Sequence, residues 1–268
     1  IVTLNFKPQT QKNMKVTIDG QEIDVEPGTT ILQAARMIGG ESVPPAMCYY
    51  SKLKGSGGKC RCCLVEVSKG SEADPRPMPK LMASCVTGVM DGMEVKSISS
   101  PRVTEARKSV TEFLLMNHPL DCPVCDQAGE CDLQNLSYNH GKELTRFHEE
   151  KRTFEPEDLG NNIQLHMNRC ILCYRCVYTA EQLTDGRVHG VVGRGDHAQI
   201  STCVSAAIEN EYSGNMIDVC PVGALTDKTF RFKSRVWFNK PFTAHRNCDK
   251  CCGKTTLWMF GNEIQRVT

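Results

Sequence analysis

The sequence is poor in aromatic residues and has no excess of charge of either sign. Aromatic residues make up 6% of the chain, and 32 Lys and Arg residues against 31 Asp and Glu residues leave a formal net charge of +1. A surface for nucleic acid would need a basic patch or a platform of aromatic side chains that stack on bases. The composition therefore argues against a nucleic-acid partner.

Long apolar runs are also missing. No stretch approaches the roughly 18 apolar residues that a membrane-spanning helix needs, and residues 1–13 are polar, without the apolar segment of a signal peptide. Met14 has the sequence context of a natural start, so we expect residues 1–13 to be an extension. The chain ends in what reads as a strand, and we expect it to be a fragment of a longer protein.

Familiar catalytic signatures are absent as well. The sequence has no P-loop, no HExxH motif and no Ser-His-Asp grouping. Residues 190–195, Gly-Val-Val-Gly-Arg-Gly, have neither the GxGxxG spacing nor a following acidic residue in a βαβ frame, and we interpret them as a turn. No site for a nucleotide or for hydride transfer is therefore visible.

Cysteine, by contrast, is abundant, with 16 cysteines in 268 residues. A secreted scaffold held by disulfides is usually short and has scattered cysteines. Here most cysteines occur in tight groups with two residues between neighbours, a spacing that suits convergence on one metal better than disulfide formation. The pattern predicts metal ligation in a reducing compartment.

The first cysteine group has the spacing of a [2Fe–2S] site. Cys48, Cys60 and Cys63 with the remote Cys85 follow plant-type ferredoxin ligation, except that eleven residues instead of the usual four separate the first two. Glycines before Cys60 are expected to bring backbone N–H groups close to the anionic sulfides. We expect Cys62 to be a non-ligand. A zinc knuckle built on Cys60 and Cys63 is the alternative.

A β-grasp fold is predicted around this first group. Two alternating segments, Lys15–Ile18 and Gln21–Val25, flank Asp19-Gly20, a strong hairpin signal. An apolar helical face follows, with an N-cap at Thr29 or Thr30 and a stop at Gly39-Gly40. The other predicted strands are Leu64–Val67, Leu81–Cys85 and Gly92–Val95.

The third cysteine group is the most specific. Cys170, Cys173 and Cys176 have the CxxCxxC spacing of bacterial ferredoxins, and Cys220-Pro221 supplies the usual fourth ligand followed by proline. Three thiolates at this pitch suit the corners of a [4Fe–4S] cube better than one tetrahedral zinc ion.

The central group contains a histidine. His118 is followed by Cys122, Cys125 and Cys131, and it lies just after a helix that we predict to start at Ser100-Pro101. A neutral imidazole in place of a thiolate would leave a [4Fe–4S] cluster less negative and easier to reduce. Alternatively, His118 is a structural residue that caps the helix, and a cysteine from elsewhere completes the site.

The remaining segments are less informative. Residues 132–165 are polar with weak periodicity and receive no assignment, and the chain becomes β-like from Pro241 onwards. Cys203 is interpreted as a buried apolar cysteine. With predicted electron carriers and no hydride site, the chain is expected to pass electrons without making or breaking bonds itself.

Four motifs around the cysteine groups resemble the amino-terminal part of the large iron–sulfur subunit of NADH:quinone oxidoreductase, respiratory complex I. The likeness runs from about Met14 to the C-terminus. The motifs are Ala83-Ser-Cys-Val-Thr87, Asn117-His-Pro-Leu-Asp-Cys-Pro-Val-Cys-Asp126, Gly129-Glu-Cys-Asp-Leu-Gln134 and Ser213-Gly-Asn-Met-Ile-Asp-Val-Cys-Pro-Val-Gly-Ala-Leu225.

The resemblance implies three clusters and their ligands. It assigns a [2Fe–2S] cluster to the first group, and it favours His118 as a ligand because this family has three cysteines and one histidine at the central [4Fe–4S] cluster. The implied ligand sets are Cys48, Cys60, Cys63 and Cys85; His118, Cys122, Cys125 and Cys131; and Cys170, Cys173, Cys176 and Cys220.

An α+β fold in four parts is implied as well. A [2Fe–2S] ferredoxin-like β-grasp domain is expected at 14–97, a small helical His/Cys cluster domain at 98–150 and a bacterial-ferredoxin-like [4Fe–4S] domain at 151–240. Residues 241–268 would begin a domain resembling molybdopterin oxidoreductases. Some bacterial members carry a fourth cluster there, but Thr255 replaces its last cysteine and Cys252 is out of register with Cys248 and Cys251. No cluster of the usual kind is therefore expected, and an altered cluster or zinc is the alternative.

The resemblance also implies a role. Such a subunit takes electrons from an NADH-oxidising flavin subunit and passes them towards quinone, with other peripheral-arm subunits as partners. It has no flavin, NAD or molybdopterin site of its own. It reaches the membrane only through the complex, on the cytoplasmic face of the bacterial inner membrane or, alternatively, on the mitochondrial matrix side.

Two other functions remain open. The diaphorase part of NAD-reducing hydrogenases has a subunit with the same cluster-bearing region, which typically ends near residue 240. A zinc-stabilised scaffold is the alternative without redox chemistry. It would be colourless, whereas an iron–sulfur protein is brown and bleaches with dithionite.

Overall fold

The computed structural model describes residues 13–183, 189–202, 207–208, 210–247 and 252–268. The chain divides into two compact units. The first comprises the residues up to Ala46 together with Arg61–Ser109, and the second comprises Met47–Cys60 together with Val110–Thr268. In the described ranges, no helix is long and apolar enough to cross a membrane.

The first unit opens with the predicted hairpin. Strands β1 (Met14–Ile18) and β2 (Gln21–Val25) pair antiparallel across Asp19 and Gly20. Both turn residues have positive φ, 47° at Asp19 and 84° at Gly20. This backbone matches the right-handed twist of paired strands, which is why Asp-Gly favours such turns. The hairpin prediction is confirmed.

Helix α1 (Ile31–Ile38) follows, with both ends formed as predicted. Thr30 is the N-cap, and its side chain and that of Gln33 each accept a hydrogen bond from the other residue's backbone N–H. Gly39 ends the helix with a φ of 81°, a conformation that suits glycine. The apolar face of α1 is buried.

Three further strands complete the sheet of the first unit: β3 (Leu64–Lys69), β4 (Met82–Ala83) and β5 (Met93–Lys96). The order is β2-β1-β5-β3-β4, with β1 and β5 parallel. The prediction of a strand over Leu81–Cys85 was too long, because the N–H groups of Val86 and Thr87 both bond to the Ala83 carbonyl and turn the chain. The buried core contains Val16, Ile18, Val25, Ile31, Ala34, Ala35, Val65, Val67, Val89, Met93 and Val95.

Helix α2 (Pro101–Leu115) runs from the first unit into the second. The Ser100 hydroxyl accepts a hydrogen bond from the N–H of Val103, and proline occupies the first helical position, as the sequence predicts. The helix ends at Leu115, and the N–H of His118 donates to the Leu115 carbonyl. A single turn thus places His118 just beyond the helix.

The second unit is built from short elements. Helices α3 (Asp132–His140), α4 (Arg175–Leu183) and α5 (Asn215–Asp218) alternate with short strands. Strands β6 (Glu157–Asp158) and β7 (Ile163–Leu165) form a sheet with β10 (Leu225–Asp227), while β8 (His189–Val192) and β9 (Gln199–Thr202) form a hairpin. Fully buried side chains include Leu133, Leu159, Ile163, Leu165, Ile200, Met216 and Leu225.

The interpretation of residues 190–195 as a turn was wrong for the first three, because Gly190, Val191 and Val192 pair with β9. Only residues 193–195 belong to the connection. The β-like tail is confirmed: β11 (Lys240–His245), β12 (Lys254–Phe260) and β13 (Glu263–Val267) form an antiparallel sheet.

Candidate metal centres

The third cysteine group lines one apolar cavity in the second unit. Cys170 follows a turn of 3₁₀ helix at Met167–Arg169, Cys176 lies in the first turn of α4, and Cys220 follows α5. These elements bring together four thiols that are distant in sequence, and the remaining lining is almost entirely apolar. The cavity is lined by Cys170, Cys173, Cys176 and Cys220 with Leu165, Ile171, Tyr174, Ile200, Val222, Ala224 and Leu225.

Unusual backbone conformations shape the CxxCxxC run. Leu172 has a φ of 51° and Tyr174 a φ of 65°. Residues other than glycine rarely adopt this left-handed conformation, because it costs about 1–3 kcal/mol per residue. Where it occurs, it is often at a functional site. In addition, the N–H of Leu172 donates to the sulfur of Cys170 at 3.3 Å. The run is therefore held in a strained loop in which its three thiols line the same cavity.

Burial makes these thiols hard to ionise without a compensating charge. Burial raises the pKa of Cys173 to about 12, and the neighbouring thiol of Cys220 adds to the rise. Burial also raises the pKa of Cys176 and of Cys220. Metal ions bind the thiolate and displace its proton. Four such thiols around an apolar cavity therefore fit a positively charged iron centre.

His189 contacts this group, although no sequence motif marks it. It begins β8, is 2% exposed, and places Nε2 3.3 Å from the sulfur of Cys176. Burial lowers the pKa of His189 to about 4, so the ring is neutral at neutral pH. A thiolate can only accept, so the tautomer that is protonated at Nε2 would donate to a metal-bound Cys176.

The central group lies around a second cavity of about 520 Å³. His118, Cys122 and Cys131 line it. Cys125 is next to this lining, since its N–H donates to the carbonyl of Cys122 at 3.2 Å. Burial raises the pKa of Cys131 to about 11, and the thiols of Cys125 and Cys122 raise it further. The described structure thus brings all four sequence-predicted residues of this group into one neighbourhood.

The state of His118 suits a metal ligand. Burial lowers the pKa of His118 to about 4, with a smaller opposing effect from Asp121, so the imidazole is neutral at neutral pH. Its Nδ1 atom is buried and has no hydrogen-bond partner within the described ranges. A buried, unpaired ring nitrogen is costly unless another group satisfies it. This observation does not favour the alternative in which the ring caps α2 through Nδ1.

The central and third groups are packed against each other. The N–H of Asp132, next to Cys131, donates to the carbonyl of Pro221, next to Cys220. A side chain at Gly223 would collide with the sulfur of Cys125, so glycine permits a close approach of the loop after Cys220. An ion pair also links the two groups. Arg169, which precedes Cys170, is buried, and its guanidinium lies 2.5 Å from the carboxylate of Asp121, which precedes Cys122.

The first group has members in both units. In the first unit, the buried thiols of Cys63 and Cys85 lie 3.3 Å apart, close enough to bind one metal atom. In the second unit, the N–H of Lys59 donates to the sulfur of Cys48 at 3.3 Å, and Cys60 is buried. The loop before Cys60 contains Gly55, Gly57 and Gly58 with φ between 70° and 121°, in line with the expected need for glycine.

Other cysteines give less information. Cys203, Cys248 and Cys251 lie outside the described residues, so the predictions about them stay predictions. Cys252 is exposed. In the part of the chain that the structure describes, no three His, Cys, Asp or Glu side chains are grouped tightly enough to hold a single metal ion.

Three family models match successive parts of the chain. Residues 11–100 match a 2Fe-2S iron-sulfur cluster binding domain. Residues 107–146 match the NADH-ubiquinone oxidoreductase-G iron-sulfur binding region. Residues 160–226 match the ferredoxin-like domain of NADH-quinone oxidoreductase subunit 3. Both [2Fe–2S] and [4Fe–4S] binding domains are therefore present, and the α+β iron–sulfur fold is confirmed.

Curated relatives agree with these matches. The G subunit of NADH-quinone oxidoreductase from Rickettsia bellii is 46% identical over 84% of this chain and 31% of its own length. The NADH-ubiquinone oxidoreductase 75 kDa subunit of Reclinomonas americana is 42% identical over 95% of this chain and 35% of its own length. The mitochondrial NADH-ubiquinone oxidoreductase 78 kDa subunit of Candida albicans is 46% identical over 84% of this chain and 30% of its own length. The chain spans about a third of the length of these relatives.

A solved structure shares the fold as well. A chain of an NAD+-reducing [NiFe]-hydrogenase in the H2-reduced state superposes with a TM-score of 0.71 at 29% sequence identity. The match covers 83% of this chain and 91% of that chain.

Proposed function

We propose that this chain, which is similar to the amino-terminal part of the G subunit of NADH-quinone oxidoreductase, relays electrons through iron–sulfur clusters. The electrons would come from an NADH-oxidising flavin subunit and pass towards quinone. In this proposal the chain contributes no substrate site of its own. It would work in a respiratory complex, bound to other peripheral subunits on the cytoplasmic face of a bacterial membrane or on the matrix side of a mitochondrial one.

The proposed ligands are those of the three sequence groups. The thiols of the third group and the His118 imidazole would hold two [4Fe–4S] clusters, and the first group would hold one [2Fe–2S] cluster. Each bound cluster would supply a centre that accepts and releases one electron at a time. The ligands are Cys48, Cys60, Cys63 and Cys85; His118, Cys122, Cys125 and Cys131; and Cys170, Cys173, Cys176 and Cys220.

The residues of the chain prepare these centres in three ways. Apolar side chains such as Ile200 and Leu225 line the cavity of the third cysteine group and keep water away from it. The neutral ring of His118 offers a ligand without negative charge, which favours the reduced, more negative state of a cluster. His189 is positioned to donate a hydrogen bond to Cys176.

The observation that carries the proposal is the convergence of Cys170, Cys173, Cys176 and Cys220 on one apolar cavity. The close packing of Gly223 on Cys125 adds that the central and third groups are neighbours. Neighbouring centres are what a relay requires, because electron transfer weakens steeply with distance.

The test begins with the purified chain, reconstituted with iron and sulfide under anaerobic conditions. We expect a brown protein whose absorption bleaches with dithionite, and low-temperature EPR signals of [2Fe–2S] and [4Fe–4S] centres. Cys173→Ser should remove one [4Fe–4S] signal, while Cys252→Ser, at an exposed position, should leave all signals in place. A colourless protein that binds zinc, or unchanged iron content in Cys173→Ser, would contradict the proposal.

The hydrogenase-associated diaphorase is the second candidate, and the superposition with the [NiFe]-hydrogenase chain is what favours it. Its 29% identity is lower than the 42–46% of the NADH-quinone and NADH-ubiquinone oxidoreductase relatives. The residues after 240 also distinguish the two, since we interpret β11–β13 as the start of a domain resembling molybdopterin oxidoreductases. Association with a hydrogenase subunit in a pull-down from the native host, without complex I subunits, would favour the second candidate.

A further inference from the structure

Arg175 lies within the third cysteine group, between Cys173 and Cys176, yet the ligand assignment gives it no role. It begins α4 and is 8% exposed. A buried guanidinium is costly unless its donors and its charge are satisfied. The partners of this side chain therefore indicate what it does.

The guanidinium donates to two backbone carbonyls from distant parts of the second unit. One Nη atom lies 3.1 Å from the carbonyl of Tyr49, and the other lies 3.3 Å from the carbonyl of Val219. The Tyr50 ring centroid is 5.6 Å from the guanidinium carbon, and the Asp132 carboxylate is 3.8 Å from a guanidinium nitrogen.

Three of these four partners are next to a proposed ligand. Tyr49 follows Cys48, Val219 precedes Cys220, and Asp132 follows Cys131. One side chain thus contacts segments that belong to all three cysteine groups. A planar fork with five N–H donors can serve several acceptors at fixed angles, which the single ammonium group of lysine cannot do in the same way.

The charge of Arg175 lies beside the third group. The buried guanidinium donates to the carbonyl of Val219, the neighbour of Cys220, and Arg175 itself stands between Cys173 and Cys176 in the chain. The reduced form of a cluster carries one negative charge more than the oxidised form. A fixed, buried positive charge next to the cavity therefore favours reduction.

We infer that Arg175 is a positioning residue, which fixes the segments carrying Cys48 and Cys220 against α4 and raises the reduction potential of the third cluster. This inference rests on the proposed ligand sets. Arg175 contributes in two ways: its hydrogen bonds hold the two segments in place, and its positive charge raises the reduction potential.

Two substitutions separate these contributions. Arg175→Met removes the fork and the charge, while Arg175→Lys keeps the charge and loses the fork. The control is Glu181→Gln, which changes the net charge on an exposed position of the same helix. For each reconstituted variant, an EPR-monitored redox titration gives the potential of the third cluster, and an iron chelator added to the oxidised protein gives the rate of cluster loss.

We expect a lower potential in Arg175→Met, a potential near the wild-type value in Arg175→Lys, and no comparable downward shift in Glu181→Gln. Both Arg175 variants should lose iron to the chelator several-fold faster than the wild type and the control. If Arg175→Met does not assemble the cluster at all, the chelator rate of Arg175→Lys decides the positioning role and its potential decides the charge role.

Unchanged potential in a fully loaded Arg175→Met, or wild-type chelator resistance in Arg175→Lys, would overturn the inference while the proposed function stands. Absence of [4Fe–4S] signals from the wild-type chain would overturn both. The two failures are therefore distinguishable.

Discussion

At the scale of single residues, the buried ring of His189 is placed to stabilise negative charge on Cys176 through a hydrogen bond from Nε2. A hydrogen bond to a charged acceptor contributes about 1.5–3 kcal/mol when it is buried. His189→Phe keeps the ring shape and loses the donor, so the reduced cluster loses stabilisation and its potential should fall. The potential should fall less in His189→Gln, because the glutamine amide can still donate a hydrogen bond. The measurement is an EPR-monitored titration, and equal potentials in all three proteins would contradict the role.

A second prediction concerns Gly223, where the lack of a side chain is what allows the close contact with Cys125. Gly223→Ala places a methyl group against the sulfur of Cys125. Overpacking of this kind costs about 1–3 kcal/mol, and here the strain falls on a proposed ligand of the central cluster. We expect a weaker central [4Fe–4S] signal and a lower iron-to-protein ratio.

Gly214→Ala is the matched control for this substitution, since open space surrounds Gly214. It should bind as much iron as the wild type. Equal iron in both alanine variants would mean that the approach of Gly223 to Cys125 is not important for the central site.

These residue-scale contacts mark the limit of what the sequence predicts. Spacing identified the CxxCxxC run, because three ligands on one loop are a local pattern. It missed His189 and Arg175, whose partners lie elsewhere in the chain and become neighbours only in the folded protein. A histidine at the start of a strand and an arginine within a cysteine run carry no distinctive pattern of their own.

At the scale of elements, the turn between β1 and β2 is tied to the segment before α2. The Asp19 carboxylate accepts hydrogen bonds from the N–H groups of Ser97, Ile98 and Ser99 and from the Ser99 hydroxyl, at 2.5–3.3 Å. Burial alone would raise the pKa of Asp19, but these hydrogen bonds outweigh it and the pKa lies below its ordinary value of 3.8.

This depressed pKa predicts how stability depends on pH. The folded state holds the proton of Asp19 more weakly than the unfolded state, so the stabilisation is complete above about pH 4 and is lost as the pH falls through the lower, folded-state pKa. Asp19→Asn should lower the unfolding free energy at pH 7 by about 1 kcal/mol, at the low end for such bonds because the carboxylate is partly exposed. This difference in unfolding free energy between the wild type and Asp19→Asn should become smaller in acid, where Asp19 is protonated.

Urea unfolding of the wild type, Asp19→Asn and the control Asp24→Asn at pH 7 and pH 3 measures this dependence. Asp24 is exposed on β2, and its substitution should have little effect. An Asp19→Asn penalty of equal size at both pH values would show that the carboxylate charge does not contribute.

Elements differed in how well the sequence predicted them, and the reasons are physical. The β1–β2 hairpin and α1 carry their own turn and capping residues, so local rules sufficed. Helix α3 has a polar sequence with few apolar positions, of which Leu133 and Leu136 are buried. Its stability therefore comes from packing in the second unit, which a local pattern does not reveal.

At the scale of the molecule, the central and third groups form one packed region of the second unit. The loop from Cys220 to Gly223 supplies a proposed ligand to one site and packs against Cys125 of the other, and the carbonyl of Pro221 binds the N–H of Asp132. The sequence indicated the two sites as separate motifs. Their dependence on a shared loop follows only from the fold.

Cys220→Ser tests this dependence. It should abolish the third [4Fe–4S] signal and also weaken or shift the central one, because a loop released from its cluster no longer holds Cys125. Cys173→Ser removes a ligand of the third site that lies outside this loop and should leave the central signal closer to the wild type. EPR spectra and iron content of the two variants give the comparison. If both variants leave the central signal equally intact, the two sites assemble independently and the loop is only a spacer between them.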